Sequence, residues 1–179
     1  MSNERMIFVL NKVHLQFMED SAIVIYTDGS CNPKHGIGAW AAILFIDKNK
    51  FVLTGVEEQT THQRMELQAV IKSFEYLAKA NLLARAMELY ADSQYVTDLS
   101  TRKVKLKAAG FMTTKNVPIR NSDLVRILIE YSEMMNVHFI KVKAHQKNDD
   151  QNSNREVDLL ARKIVRERII SQTQVTSQE

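Results

Sequence analysis

The sequence contains one cysteine, Cys31, together with two prolines, five glycines and one tryptophan among its 179 residues. A lone cysteine can form neither an internal disulfide nor a cysteine-based zinc site, which excludes a disulfide-stabilised secreted mini-domain and favours a reducing compartment. Long apolar runs are also missing, because the longest, from Ile37 to Ile46, is far shorter than the roughly 18 residues of a membrane-spanning helix. The sequence therefore predicts a cytoplasmic protein with no membrane partner.

The composition is that of a globular chain, with 45% hydrophobic and 25% charged residues. No internal repeat and no Pro-, Gly- or Ser-rich linker divides it. We expect one domain over residues 21–170, preceded by an extension of unassigned role (1–20) that carries the apolar cluster Met6–Leu10, and followed by a polar, disordered tail (171–179). Because no other large apolar face is left unexplained, we expect a monomer.

Hydrophobic periodicity predicts strands first and helices later. Strands are expected at Ala22–Thr27, Ala39–Ile46, Phe51–Val56, Met87–Ala91 and Val137–Lys143, and helices at Thr61–Ala80, Ser93–Leu99, Arg102–Ala108, Ser122–Met135 and Glu156–Ile170. Short turns join the first three strands, whereas helices separate the later ones. The predicted fold class is therefore α/β, a mixed five-stranded sheet of three antiparallel and then parallel strands, with helices on both faces.

The positive charge of the chain is concentrated in one strip. Between Leu99 and Ser122 there are basic residues and no acid: Arg102, Lys103, Lys105, Lys107, Lys115 and Arg120. A solvated helix face explains such a strip, and so does an anionic partner such as nucleic acid.

Four acidic residues fall near the predicted carboxyl ends of strands or in the first turns of helices, where sites form in open α/β sheets: Asp28, Glu66, Asp92 and Asp158. Singly, each has a structural role available, as a turn former, a helix cap or a partner of a helix dipole. Together, converging carboxylates would repel one another unless cations neutralised them. An all-oxygen site suits Mg²⁺ or Mn²⁺.

Five blocks of sequence, in register over residues 22–165, resemble the ordered motifs of type 1 ribonucleases H. They are Tyr26–Ser30 (YTDGS), Thr60–Leu67 (TTHQRMEL), Ala91–Val96 (ADSQYV), Val142–His145 (VKAH) and Asn154–Arg162 (NREVDLLAR). The resemblance implies a ribonuclease H-like fold and hydrolysis of the RNA strand of RNA/DNA hybrids, leaving 5′-phosphate and 3′-hydroxyl ends. It also implies that Asp28, Glu66, Asp92 and Asp158 hold two Mg²⁺ ions, and that His145 assists proton transfer or product release.

The same resemblance implies residues that bind the substrate. Gln63 and Gln94 would contact the RNA strand, Thr61 and Asn121 would bind a phosphate of the DNA strand, and the basic strip would grip the DNA strand through Lys103, Lys105, Lys107, Lys115 and Arg120. The chain departs from the family pattern in the phosphate pocket, with Gln59 for arginine and His62 for asparagine. Around the basic strip it has Arg102, Leu106 and Phe111 in place of tryptophans, so rearranged packing is expected there.

Two other functions remain open at this stage. A transposase- or integrase-like nuclease of the same fold would use a similar acidic edge on DNA. A non-catalytic module would bind hybrids or duplexes through the basic strip and would have no need of the carboxylates. The Asp-Gly-Ser and Arg-Met-Glu-Leu motifs favour the ribonuclease.

Overall fold

The computed structural model describes residues 22–142 and 149–176, and its centre is a five-stranded sheet. The strands are β1 (Ile23–Asn32), β2 (Ile37–Ile46), β3 (Asn49–Glu57), β4 (Met87–Ala91) and β5 (Val137–Lys141). Their order across the sheet is β3-β2-β1-β4-β5. The first three strands pair antiparallel, whereas β1 with β4 and β4 with β5 pair parallel, which confirms the mixed sheet expected from the sequence.

The first strand is longer than its pattern predicts. The sequence predicts its end at Thr27, but β1 continues to Asn32 because its last residues keep pairing with β2, as far as Asn32 opposite Ile37. The parallel pairing with β4 does stop near the expected point, at Thr27 opposite Ala91. Asp28 is therefore the first residue beyond the parallel pair, while the antiparallel hairpin runs past it.

The helices are α1 (His62–Lys79), α2 (Gln94–Thr97), α3 (Leu99–Ala108), α4 (Ser122–Met134) and α5 (Asp149–Thr176). They cover both faces of the sheet. Ile23 and Ile25 of β1 belong to the main core with Leu67 and Phe74 of α1, and α4 packs into the same core through Leu124, Val125 and Leu128. Tyr26, Ala41 and Ile43 face the other way and pack against Val157 and Ala161 of α5.

The basic strip projects from the first of these layers. Leu106 on α3 and Phe111 in the following loop are buried in the main core, although the family pattern has tryptophans there. Phe111 adopts a left-handed backbone with φ of 60°. The Arg126 guanidinium of α4 lies 4.2 Å from the centre of the Phe111 ring and donates a hydrogen bond to the Gly110 carbonyl. In this chain the Phe111 ring is therefore covered by the guanidinium of Arg126.

The last helix differs from the prediction at both ends. It was expected at Glu156–Ile170, with a disordered tail from residue 171, but α5 runs from Asp149 to Thr176. Residues 171–176 are helical because the end of α5 is held in place: Ile169 packs with Val165 near Ile37, and Gln172 hydrogen-bonds Glu58. Among the described helices, none is both long and apolar enough to cross a membrane.

Candidate active site

Two of the predicted carboxylates become neighbours through the register of the parallel strands. Thr27 and Ala91 are the last paired residues of β1 and β4, and Asp28 and Asp92 follow them directly. Asp28 is 8% exposed, whereas Asp92 is exposed to solvent. The carboxyl ends of the two strands thus present one buried and one accessible carboxylate at the same edge of the sheet.

Glu66 reaches this edge because α1 packs tightly on β1 at Gly29. A Cβ atom at Gly29 would overlap the backbone of Met65 and Glu66, so only glycine allows the approach. The helix starts four residues earlier, where Thr61 caps it: the Thr61 hydroxyl accepts a hydrogen bond from the Arg64 backbone N–H. Glu66 therefore lies in the second turn of α1, next to the strand that carries Asp28.

Asp158 comes from the opposite face of the sheet. Asp28 alternates with Thr27 along β1 and so shares the face of Tyr26, against which Val157 of α5 packs. Asp158 follows Val157 in the helix and is half-buried, with 29% of its side chain exposed. The two faces of the sheet therefore each contribute one acid to the edge formed by Asp28 and Asp92.

The pKa of Asp28 responds to the charges of the other three carboxylates. Its pKa is raised from 3.8 to about 8, first by burial and then by the negative charges of Asp92, Asp158 and Glu66, against a lowering by the Gly29 backbone N–H. Burial disfavours the charged form of an acid, and nearby like charges add to that effect. A cation at this point would be strongly favoured.

Glu66 has partners that restrain it. The Ser93 hydroxyl donates a hydrogen bond to the Glu66 carboxylate at 2.6 Å, and the His62 imidazole lies 3.5 Å from its other oxygen. Burial raises the pKa of Glu66, and the charge of Asp92 adds to this, while Ser93 and His62 act in the opposite direction. Ser93 also caps α2, because its oxygen accepts the Val96 backbone N–H at 3.4 Å.

The donor set suits a hard divalent cation, although the side chains are not yet arranged around one. No group of three or more Asp, Glu, His or Cys side chains within the described ranges is gathered at metal-ligand spacing. Asp158 instead pairs with Arg162, one turn along α5, at 2.5 Å. The oxygen-only donors and the mutual repulsion at Asp28 fit Mg²⁺ or Mn²⁺. With an ion bound, Asp158 would bind the ion and no longer pair with Arg162.

Two of the predicted substrate-binding side chains carry unsatisfied polar atoms. Gln63 Oε1 and Asn121 Nδ2 are buried and make no hydrogen bond of good geometry in the part of the chain that the structure describes, although Asn121 lies close enough to the Tyr95 hydroxyl to oppose the rise in its pKa that burial causes. Such atoms are costly in a folded protein unless a ligand or water satisfies them. Asn121 is also held in a left-handed conformation, with φ of 55°, immediately before α4.

A bidentate ion pair brings the elements of the predicted phosphate pocket together. The Arg64 guanidinium on α1 donates to both carboxylate oxygens of Asp123 on α4, at 3.1 and 2.8 Å. Arg64 lies three residues after Thr61, and Asp123 lies two residues after Asn121. The two predicted phosphate ligands thus stand at the starts of two helices that are joined by this pair.

The other predicted substrate residues lie on exposed surface. Gln94 begins α2 next to the capping residue Ser93 and is exposed. The basic residues of the strip lie on α3 and in the loop before α4, and Lys103 is the least exposed of them: Lys103, Lys105, Lys107, Lys115 and Arg120. Lys107 differs from the rest because its ammonium pairs with Glu133 on α4 at 2.8 Å.

Sequence reasoning missed several partners of the carboxylates. His62 with Glu66 and Asp158 with Arg162 are spaced four residues apart on a helix, so the spacing could have suggested both pairs. The contact of Ser93 with Glu66 joins two separate elements and has no signal in the local sequence. His145 lies outside the described residues, so its predicted role stays a prediction.

Comparison with known proteins supports the family resemblance seen in the sequence motifs. The RNase H family model matches residues 20–166. A protein of Ehrlichia canis named Ribonuclease H is 39% identical over 145 residues, covering 80% of this chain and 94% of that protein. A Ribonuclease H of Caldicellulosiruptor saccharolyticus is 35% identical over 147 residues, covering 81% of this chain and 97% of that protein.

Solved structures show the same fold at lower identity. LC9-RNase H1, described as a type 1 RNase H with the type 2 active-site motif, superposes with a TM-score of 0.69 at 21% identity, covering 80% of this chain and 72% of that one. A foamy viral protease-reverse transcriptase solved with an RNA/DNA hybrid gives 0.62 at 18% identity, covering 82% of this chain and 20% of that one.

Proposed function

The chain belongs to the RNase H family, and from this we propose that it is an endoribonuclease that hydrolyses the RNA strand of RNA/DNA hybrids, leaving 5′-phosphate and 3′-hydroxyl ends. The observation that supports the chemistry most directly is the convergence of three carboxylates on buried Asp28 at the carboxyl end of the parallel strands. A binding module would gain nothing from an arrangement that raises the pKa of an acid so far.

In the proposed site, Asp28, Glu66, Asp92 and Asp158 hold two Mg²⁺ ions, with Mn²⁺ as a substitute. When bound, such a pair supplies an activated water for in-line attack on the phosphate and stabilises the charge that develops on the departing 3′ oxygen. The protein supplies fixed positions for the donors, since Ser93 orients the Glu66 carboxylate and burial restrains Asp28. We keep His145 as the residue that assists proton transfer or product release.

Recognition of a hybrid requires detection of 2′-hydroxyls on one strand and of the backbone on the other. We assign Gln63 and Gln94 to the RNA strand. The buried and unsatisfied Gln63 oxygen supports this role, because a hydroxyl of the substrate can donate to it. Thr61 and Asn121 would bind a DNA phosphate, to which the Asn121 amide beside the Tyr95 hydroxyl could donate.

The exposed lysines and arginine of the strip would contact further phosphates of the DNA strand. These residues are Lys105, Lys107, Lys115 and Arg120, together with the partly exposed Lys103. Such contacts give affinity that depends on salt and is independent of sequence. We also propose a monomer of the cytoplasm, where the single thiol of Cys31 stays reduced.

The test is a comparison of three duplexes of matched sequence, RNA/DNA, RNA/RNA and DNA/DNA, each end-labelled in turn on either strand. The proposal predicts cuts confined to the RNA of the hybrid, in Mg²⁺ and absent with chelator. Cutting of the DNA duplex would favour a transposase- or integrase-like nuclease. Binding of the hybrid without cutting in Mg²⁺ or Mn²⁺ would favour a non-catalytic module.

A further inference from the structure

The end of α5 lies beyond residue 166, where the match to the family ends, and it makes a specific contact with a loop near the candidate site. Arg168 Nη2 and Gln172 Nε2 both donate hydrogen bonds to the same oxygen of Glu58, at 2.8 and 2.7 Å. Residues four apart lie one above the other on a helix, so the two donors form one surface facing Glu58.

This pair of donors is carried by a helix that is itself anchored. Val165 is buried in a small core with Ile37 and Ala39 of β2, and Ile164 and Ile169 pack against that core. The contact with Glu58 is therefore made from a fixed backbone, by side chains that are about half exposed, 47% for Arg168 and 53% for Glu58.

Glu58 belongs to the short loop that leads into α1, residues 58–61, here called the β3–α1 loop. Gln59 in this loop has a left-handed backbone with φ of 51°. The Thr60 backbone N–H donates to the Gly36 carbonyl at 3.1 Å, which ties the loop to the turn between β1 and β2. The loop then delivers Thr61, the cap of α1, and Gln63 in its first turn.

We propose that Arg168 and Gln172 are positioning residues, which hold the β3–α1 loop through Glu58 so that Thr61 and Gln63 meet the hybrid in the correct place. This inference rests on the proposed function. The C-terminal part of α5 thereby affects substrate affinity through the β3–α1 loop, and this role requires no contact between the helix and Thr61 or Gln63. A fixed loop binds its ligand at lower entropic cost than a free one.

Charge reversal tests the proposal because it separates positioning from general attraction to the nucleic acid. Glu58→Arg and Arg168→Glu each replace the ion pair with a repulsion, and both should raise KM for hybrid cleavage by about threefold or more with kcat little changed. The double variant restores an ion pair of reversed polarity and should return KM to near the parent value. General electrostatics predicts instead that Glu58→Arg, which adds positive charge, lowers KM.

Matched controls come from the outer face of the same helix. Lys163 and Glu167 form an exposed pair at 3.7 Å, so Lys163→Glu and Glu167→Lys make the same changes of charge. They should leave KM within about twofold of the parent. The proposal is overturned if these controls raise KM as much as the Glu58 and Arg168 variants, if Glu58→Arg leaves KM unchanged or lowers it, or if the double variant fails to recover.

Two alanine variants test the same contact with a smaller risk of unfolding the protein. Arg168→Ala and Gln172→Ala each remove one donor and should raise KM less than the reversals, with thermal midpoints near that of the parent. If the parent chain cuts no hybrid, the proposed function fails independently. The same variants are then compared for hybrid binding by fluorescence anisotropy, where equal affinities would overturn the positioning role and a matching pattern of dissociation constants would support it.

Discussion

Asp28 combines deep burial with three acidic neighbours, and the two effects act in the same direction on its pKa. An acid of ordinary pKa is ionised at neutral pH, whereas the metal-free site keeps Asp28 largely protonated below pH 8. Burying this acid among like charges lowers the stability of the fold, but the same arrangement favours the binding of a cation. An acid whose pKa is strongly shifted in this way is typical of a functional site.

The pH dependence of stability follows from this pKa. In chelator, the folded state holds the Asp28 proton up to about pH 8 and the unfolded state releases it near 3.8, so this group's contribution to stability is lost as pH rises between those values. Asp28→Asn removes the ionisation. We expect the parent to lose stability relative to Asp28→Asn as pH rises from about 4 to about 8, the window set by the two pKa values, in urea unfolding. A constant difference across that range would contradict the assignment.

Ser93 has two structural roles at once, as the cap of α2 and as the donor to Glu66. Ser93→Ala should lower the free energy of unfolding by about 1 kcal/mol through loss of the cap. It should also reduce kcat, because Glu66 loses the bond that orients it. Ser100→Ala is the control, since Ser100 is exposed and bonds only a carbonyl of its own turn. Equal effects of the two changes would count against the role of Ser93.

At the scale of elements, local sequence patterns predicted where helices and strands form, but they did not predict the contacts between these elements. The continuous apolar run along β2 and the three- and four-residue spacing along α1 are strong signals, and both elements form. The extension of β1 to Asn32 depends on pairing with β2, and the extension of α5 to Thr176 depends on Glu58 and Ile37. Such long-range partners are invisible to periodicity.

For the candidate site too, the sequence predicted the residues but not the contacts that they make. Motif blocks identified Asp28, Glu66, Asp92 and Asp158, and the topology then brought them to one edge. Two contacts were not predicted: the close packing of α1 against Gly29, and the ion pair between Arg162 and Asp158. These features depend on packing and on side-chain orientation in three dimensions.

The basic strip on α3 allows a prediction that depends on how its lysines are paired. Lys105 is exposed and has no ion-pair partner among the described residues, whereas Lys107 holds the pKa of Glu133 below its ordinary value. Lys105→Ala should weaken hybrid binding and reduce the salt slope by about one. Lys107→Ala should do less, because Glu133 already offsets part of its charge. Salt-dependent binding titrations measure both. A larger effect of Lys107→Ala would contradict the prediction.

At the scale of the whole molecule, the sheet separates two helical layers that carry different parts of the predicted site. The α1 and α4 layer carries the predicted substrate residues, and the α5 layer carries Asp158 and the contact with Glu58. Both layers meet at the edge where β1 and β4 stop pairing. The site is thus assembled from elements distant in sequence, and its geometry depends on the complete fold.

We predict a monomer. Within residues 22–142 and 149–176, the exposed large apolar side chains are spread over several elements, for example Val52 and Val56 on β3, Val104 on α3 and Ile170 on α5. Scattered apolar side chains do not make an interface. Light scattering after gel filtration should give a mass near 20.6 kDa. A mass twice that value, stable on dilution, would contradict this prediction.

Single-turnover cleavage tests whether the carboxylates around Asp28 cut the RNA strand of a hybrid. Parent and Asp28→Asn are each mixed in excess with a hybrid labelled on both strands, in Mg²⁺, and hybrid binding is measured in parallel. We expect RNA fragments with the parent, intact DNA, and a rate at least about a thousandfold lower for Asp28→Asn while binding is retained. Cleavage by Asp28→Asn at the parent rate, or cutting of the DNA strand, would contradict this expectation.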